Sequence, residues 1–282
     1  MLADWRNLLF VCLLSAILLP TAAAQSIRFQ ETRSALVIGN ADYANARLRT
    51  PTQDAKAINS KLVRLGFKVT LEENATQRTM LTAFRNYLAQ ADRNDVRLIY
   101  FAGHGVQWRG RNYLVPIDID IQREEDLASN AVDLTEVVER LANMRQGVNI
   151  IIVDACRDNP FSGGVARLAD ARRVRTRGLV SKRDEPAIGL AAVQANNSGT
   201  VIAFSTSPGS LASDGAGNRN SIYTRHLLEH IDRPGQTIEK MLKQVRIGVS
   251  QETNFAQIPW ESSSLMGEFC FRPIVRGVCG GE

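Results

Sequence analysis

The chain has 282 residues, with 34 Lys and Arg against 29 Asp and Glu, a formal net charge of +5. Seven of the basic residues fall within 162–186 against Asp170, Asp184 and Glu185, a local excess of +4 that leaves the rest near neutral. A nucleic-acid binder needs a basic face on its folded body, so this composition argues against one; the length suits one large α/β domain or two small ones.

The N-terminus has the form of an export signal. Leu8 to Leu19 is a short apolar run after Arg6, followed by Pro20 and Ala22-Ala23-Ala24, which predicts a signal peptide over 1–24 cleaved after Ala24. The run falls short of the roughly 18 residues needed to span a bilayer. The mature protein, 25–282, is therefore expected in the periplasm or outside the cell, with no stable membrane span once the signal is removed. Cys12 leaves with the signal. Cys270 and Cys279, nine positions apart across Pro273 and Gly277, suit a disulfide in an oxidising compartment, which leaves Cys156 as the candidate reactive thiol.

Ser34 to Gly39 reads as a buried strand. Asp54 to Leu65 places Ala55, Ile58, Leu62 and Leu65 on one helical face, and Gly66 stops that helix. Phe67 to Leu71 is a second strand and Thr76 to Ala91 a second amphipathic helix. A third strand, Val96 to Ala102, is expected to break into a Gly103-His104-Gly105 turn. Asp133 caps a helix reaching Met144. Asn149 to Val153 makes a fourth strand running into Asp154-Ala155-Cys156, and Thr200 to Phe204 a fifth. Helices over Ser221–Ile231 and Thr237–Val249 and a last strand over Leu265–Phe271 complete the pattern. Strands alternating with helices predict a mainly parallel central sheet flanked by helices on both faces.

Ligands of such sheets bind beyond the carboxyl ends of the strands, which puts His104 and Cys156 in one crevice. A thiol attacks as thiolate and needs a neighbouring imidazole. Of the three histidines, His104, His226 and His230, only His104 stands at a strand end. The amides of Gly105 and Cys156 are the candidate oxyanion donors.

Tyr100-Phe-Ala-Gly-His-Gly105 and Val153-Asp-Ala-Cys-Arg-Asp-Asn-Pro160, about 50 residues apart, resemble the histidine and cysteine motifs of caspase-like peptidases, the clan of caspases, metacaspases and paracaspases. The resemblance runs from about Ser34 to about Phe271. It implies a caspase-haemoglobinase fold, an acyl-enzyme on Cys156, proton transfer through His104 and an oxyanion held by the amides of Gly105 and Cys156. It divides the mature chain into a large segment over about 34–161, a basic linker over about 162–199, a small segment over about 200–271 and a C-terminal tail. It also implies protein or peptide substrates with Arg or Lys before the scissile bond, because Asp54, Asp154 and Asp214 match the acidic pocket of the metacaspase and paracaspase pattern. Converging carboxylates in a dry pocket favour a guanidinium. The basic linker is either a site of self-cleavage or a solvated surface loop.

No cofactor and no metal ligand is assigned to this site. Calcium activation stays open, since no loop with spaced oxygen ligands decides it. Two other readings remain. One is a catalytically inert caspase-like binding or scaffold module, against which both His104 and Cys156 are present. The other is a zinc peptidase using His226-Leu-Leu-Glu-His230, an H-x-x-E-H pattern whose third ligand would come from Glu239, Glu252, Glu261 or Glu268.

Overall fold

A computed structural model describes residues 31–44, 46–119, 126–144, 147–156, 199–207, 219–275 and 278–280, with Cys156 described through its backbone. The predicted signal peptide, the basic 162–186 segment and Asp214 lie outside these residues. Among the described residues no helix is long and apolar enough to cross a membrane.

The core is one sheet in the order β2-β1-β3-β6-β7-β8. Strands β1 (Arg33–Gly39), β2 (Lys68–Glu73), β3 (Val96–Trp108), β6 (Val148–Cys156) and β7 (Thr200–Phe204) run parallel, and β8 (Trp260–Ser263) closes one edge antiparallel to β7. The central strands are apolar at successive positions because both faces are covered. Ala35, Val37, Leu98, Tyr100, Ile150 and Ile152 pack under α1 (Pro51–Arg64) and two helices near the C-terminus, α5 (Ile222–His230) and α6 (Ile238–Glu252). The alternate residues Leu36, Ile38, Ile99, Phe101, Ile151 and Val153 pack under α2 (Gln77–Ala91) and α4 (Leu134–Ala142). The result is the mainly parallel α/β sheet that the sequence predicts, with helices on both faces.

Capping residues fix the helix starts. Thr76, Asp133, Ser221 and Thr237 each accept a hydrogen bond from a backbone N–H of the first turn, a device worth about 1 kcal/mol per helix. Gly66, at φ +83°, ends α1 in the left-handed conformation that glycine adopts without strain.

Two expected elements are corrected. Strand β3 does not break at Gly103-His104-Gly105 but continues to Trp108, exchanging its parallel neighbours for the antiparallel β4 (Arg111–Leu114) from Gly105 onward. The turn comes later, at Arg109-Gly110, where φ is +49° and +76°. Two positive φ values in a two-residue loop make the type I′ turn that matches strand twist. Beyond it, β4 pairs with the two-residue β5 (Val132–Asp133), which follows the short α3 (Asp126–Asn130).

The last strand is Trp260–Ser263, and residues 265–271 form none. Phe269, Cys270 and Phe271 are apolar because they are buried, and their backbone serves other elements. The Phe269 carbonyl accepts from the Ile238 N–H at 2.8 Å, and that of Phe271 from Arg33 Nη1 at 2.6 Å. Cys270 and Cys279 are joined as expected, with their Cα atoms 5.6 Å apart; closing so short a loop is worth roughly 2–3 kcal/mol in the chain-entropy account.

Candidate active site

The site forms at the carboxyl ends of β1, β3 and β6, beside the point between β1 and β3 where the strand order reverses. Asn40 follows β1 directly and is fully buried. Its N–H donates to the Ala102 carbonyl at 2.9 Å. Its side chain accepts from the Ala75 N–H at 2.8 Å and donates to the Val115 carbonyl at 3.1 Å. One amide thus ties three loops at the carboxyl end of the sheet.

Tyr43, in the same loop, reaches the histidine. Its hydroxyl accepts from the His104 N–H at 3.0 Å and donates to the Val115 carbonyl at 2.9 Å, and its ring lies 4.4 Å from the imidazole centroid. Gly103 makes this approach possible, since a Cβ there would stand 2.6 Å from the Tyr43 hydroxyl and 2.8 Å from the Phe101 ring. The His104 Nε2 meets the Ala46 carbonyl at 2.7 Å. A carbonyl only accepts, so Nε2 carries the proton of the neutral ring and Nδ1 the lone pair. His104 is buried, and this carbonyl fixes both its orientation and its tautomer.

Across the β3–β6 pair, His104 stands in register with Cys156, Ala102 with Asp154 and Gly103 with Ala155. The two backbones are therefore adjacent at the positions of the proposed base and nucleophile. Gly105 opens the β3–β4 ladder opposite Leu114.

Asp54 and Asp154 come together beside this register. Asp54 is on the first turn of α1, Asp154 on β6, and both are buried. Ser221, the cap of α5, serves both: its N–H donates to Asp54 Oδ1 at 3.0 Å and its hydroxyl to Asp154 Oδ2 at 2.5 Å. Asn220 adds a bond to Asp54 at 2.8 Å, and the Thr224 hydroxyl one to Asp154 at 2.8 Å. Having donated to a carboxylate, Thr224 accepts from the Tyr100 hydroxyl, 2.6 Å away. Burial, with Asp54 and Asp154 nearby, holds that phenol well above its ordinary pKa, so it stays a donor. The N-terminus of α5 faces the pair with its positive dipole end.

Burial, and then the neighbouring charge of Asp154, push the Asp54 carboxyl up to about 7 from 3.8. The folded protein holds that proton more tightly than the unfolded chain. The stability it contributes is full below pH 3.8 and is lost as pH rises through about 7. In chemical unfolding at several pH values between 4 and 8, the wild type is expected to lose stability relative to Asp54→Asn as pH rises, with a steepest slope of about 1.4 kcal/mol per pH unit. A difference that stays flat across this range would show that Asp54 titrates normally.

Ala46, Tyr43, Ser221 and Thr224 were not among the sequence-predicted site residues. A backbone carbonyl leaves no trace in side-chain identity. Ser221 reads only as the first residue of a predicted helix, which it also caps by accepting from the Thr224 N–H at 3.0 Å. The cavity of about 690 Å³ between α2 and the β1–β2 edge, lined by Lys68, Thr70, Glu72, Arg78 and Asn86 among others, contains none of the residues above.

Comparison with known proteins agrees with this architecture. Part of the chain, 141 residues or 50% of it, is 27% identical to the human mucosa-associated lymphoid tissue lymphoma translocation protein 1, and equally to its homolog from Mus musculus. The match covers 17% of each relative's length. A family model described as the caspase domain matches residues 32–270, spanning β1 to the segment after β8, and on that match the chain belongs to the caspase-domain family.

Proposed function

We propose that this protein is an exported cysteine endopeptidase that hydrolyses peptide bonds after Arg or Lys. The observation that carries this reading is the pair of buried carboxylates, Asp54 and Asp154, held by Ser221 beside the His104–Cys156 register. Adjacent buried acids repel, and a guanidinium between them would relieve the repulsion and make two-point hydrogen bonds. Asp214 is the third acid of the proposed pocket. Binding Arg would draw the proton from Asp54 below pH 7, so affinity for Arg peptides should weaken as pH falls through that range.

In the proposed reaction the Cys156 thiol gives its proton to His104 Nδ1, and the sulfur attacks the scissile carbonyl carbon. The amides of Gly105 and Cys156 hold the resulting oxyanion. Collapse expels the amine, which takes the proton from the imidazolium and leaves a thioester on Cys156. Water, deprotonated by His104, then releases the acid and restores the thiol.

The test is a fluorogenic peptide series varied at the residue before the scissile bond, run with and without calcium. Peptides with Arg or Lys should be cleaved, those with Asp or a neutral residue much less, and an arginyl chloromethyl ketone should label Cys156 stoichiometrically. Absence of both cleavage and labelling would favour an inert binding module. Two fragments cut after a basic residue of 162–186, absent from Cys156→Ala protein, would assign that segment to self-processing.

A further inference from the structure

The proposed peptidase leaves the second half of α5 without a role, yet two of the three histidines are there. His226, Glu229 and His230 each place one ligand-type atom within 4.8 Å of the others. Spacings of three and four residues put all three on one helix face. A fourth group comes from α6, where the Glu252 carboxylate meets His226 Nε2 at 2.9 Å. The His226 ring lies against Gly248 of α6, where a Cβ would stand 2.5 Å from its Cε1. Any other residue at 248 would displace the imidazole. His230 is 7% exposed, and its buried Nδ1 has no hydrogen-bond partner.

We infer that His226, Glu229 and His230 of α5, with Glu252 of α6, form a site for a divalent transition metal of the zinc class. Two imidazoles and two carboxylates are a donor set such ions favour over magnesium or calcium, which take oxygen ligands. Ligands around one tetrahedral zinc stand roughly 3.3 Å apart, and the three α5 groups, all within 4.8 Å of one another, lie near that spacing. The competing contacts are solvent-exposed. Glu229 pairs with Arg233 at 3.2 Å and Glu252 with Arg225, pairs of little energetic weight. An ion here would clip α5 to α6. It would lie roughly 11 Å along α5 from Ser221, and so would steady the helix whose cap holds Asp54 and Asp154. The site does not depend on whether Cys156 cleaves peptides.

The experiment uses chelator-treated Cys156→Ala protein, which removes the thiol as a competing ligand. Zinc chloride is titrated by calorimetry and thermal unfolding, with magnesium chloride as control. One zinc per chain with a raised unfolding midpoint is expected, with no such rise from magnesium. His226→Gln and Glu229→Gln, on the accessible side of the cluster, should each weaken zinc binding by at least about tenfold. His230→Gln should do the same with an unchanged circular dichroism spectrum; if it unfolds, the other two variants decide. Zinc affinity no tighter than about 1 mM, or binding unaltered by His226→Gln and Glu229→Gln, would overturn the proposal.

Discussion

Replacing Cys156 by Ala, or His104 by Ala, should lower turnover of an Arg peptide by about 10⁴-fold or more, and the double variant should be little worse than either single one. Non-additivity is expected because a thiol and its base act as one unit. A free thiol with a pKa near 8.5 is only a few per cent thiolate at neutral pH, so loss of the imidazole disables the sulfur that remains. His104 suits the part of base because the Ala46 carbonyl holds the proton on Nε2 and leaves Nδ1 to accept another. Since His104 is buried against Tyr43, its removal also leaves a hole, and unfolding midpoints must accompany the kinetics. His104→Gln fills most of that space and should be equally inactive. Amidase activity surviving in Cys156→Ala protein under zinc-free conditions would refute the mechanism.

The second large effect is expected at Asp154. Asp154→Asn keeps the shape and can still accept from Ser221 and Thr224 through its carbonyl oxygen, so the fold should persist. A guanidinium that loses one buried partner costs about 3–5 kcal/mol, roughly 10²- to 5 × 10³-fold in kcat/KM toward Arg peptides. Peptides with a neutral residue at that position should change little. The loss should lie toward the lower end: burial, the larger cause of the raised Asp54 pKa, stays, but the added repulsion from Asp154 goes, and Asp54 would then ionise more readily opposite the substrate. Equal losses on Arg and neutral substrates would show that Asp154 supports the cysteine strand and does not read the side chain.

Local periodicity along the chain was enough to specify the fold class. Alternating apolar strands and amphipathic helices, one of them opened by the capping Asp133, specify an α/β sheet because burial pattern and capping are properties of neighbouring residues. His104 and Cys156 were legible for the same reason, as chemistry-bearing residues at the ends of apolar runs. The path of β3 beyond Ala102 was not. Gly103-His104-Gly105 reads as a turn until Arg111–Leu114 is available as an antiparallel partner, and strand pairing is a contact between distant segments. The buried 265–271 segment misled in the opposite sense, since burial makes a segment apolar whether or not it joins a ladder. Tertiary structure alone decided that Asp54 and Asp154, a hundred residues apart in sequence, share Ser221. It also decided that Glu252 meets His226 across two helices. Charges acquire shifted pKa values, and donors acquire partners, only when folding brings them together out of water, and no residue's identity states which neighbour that will be.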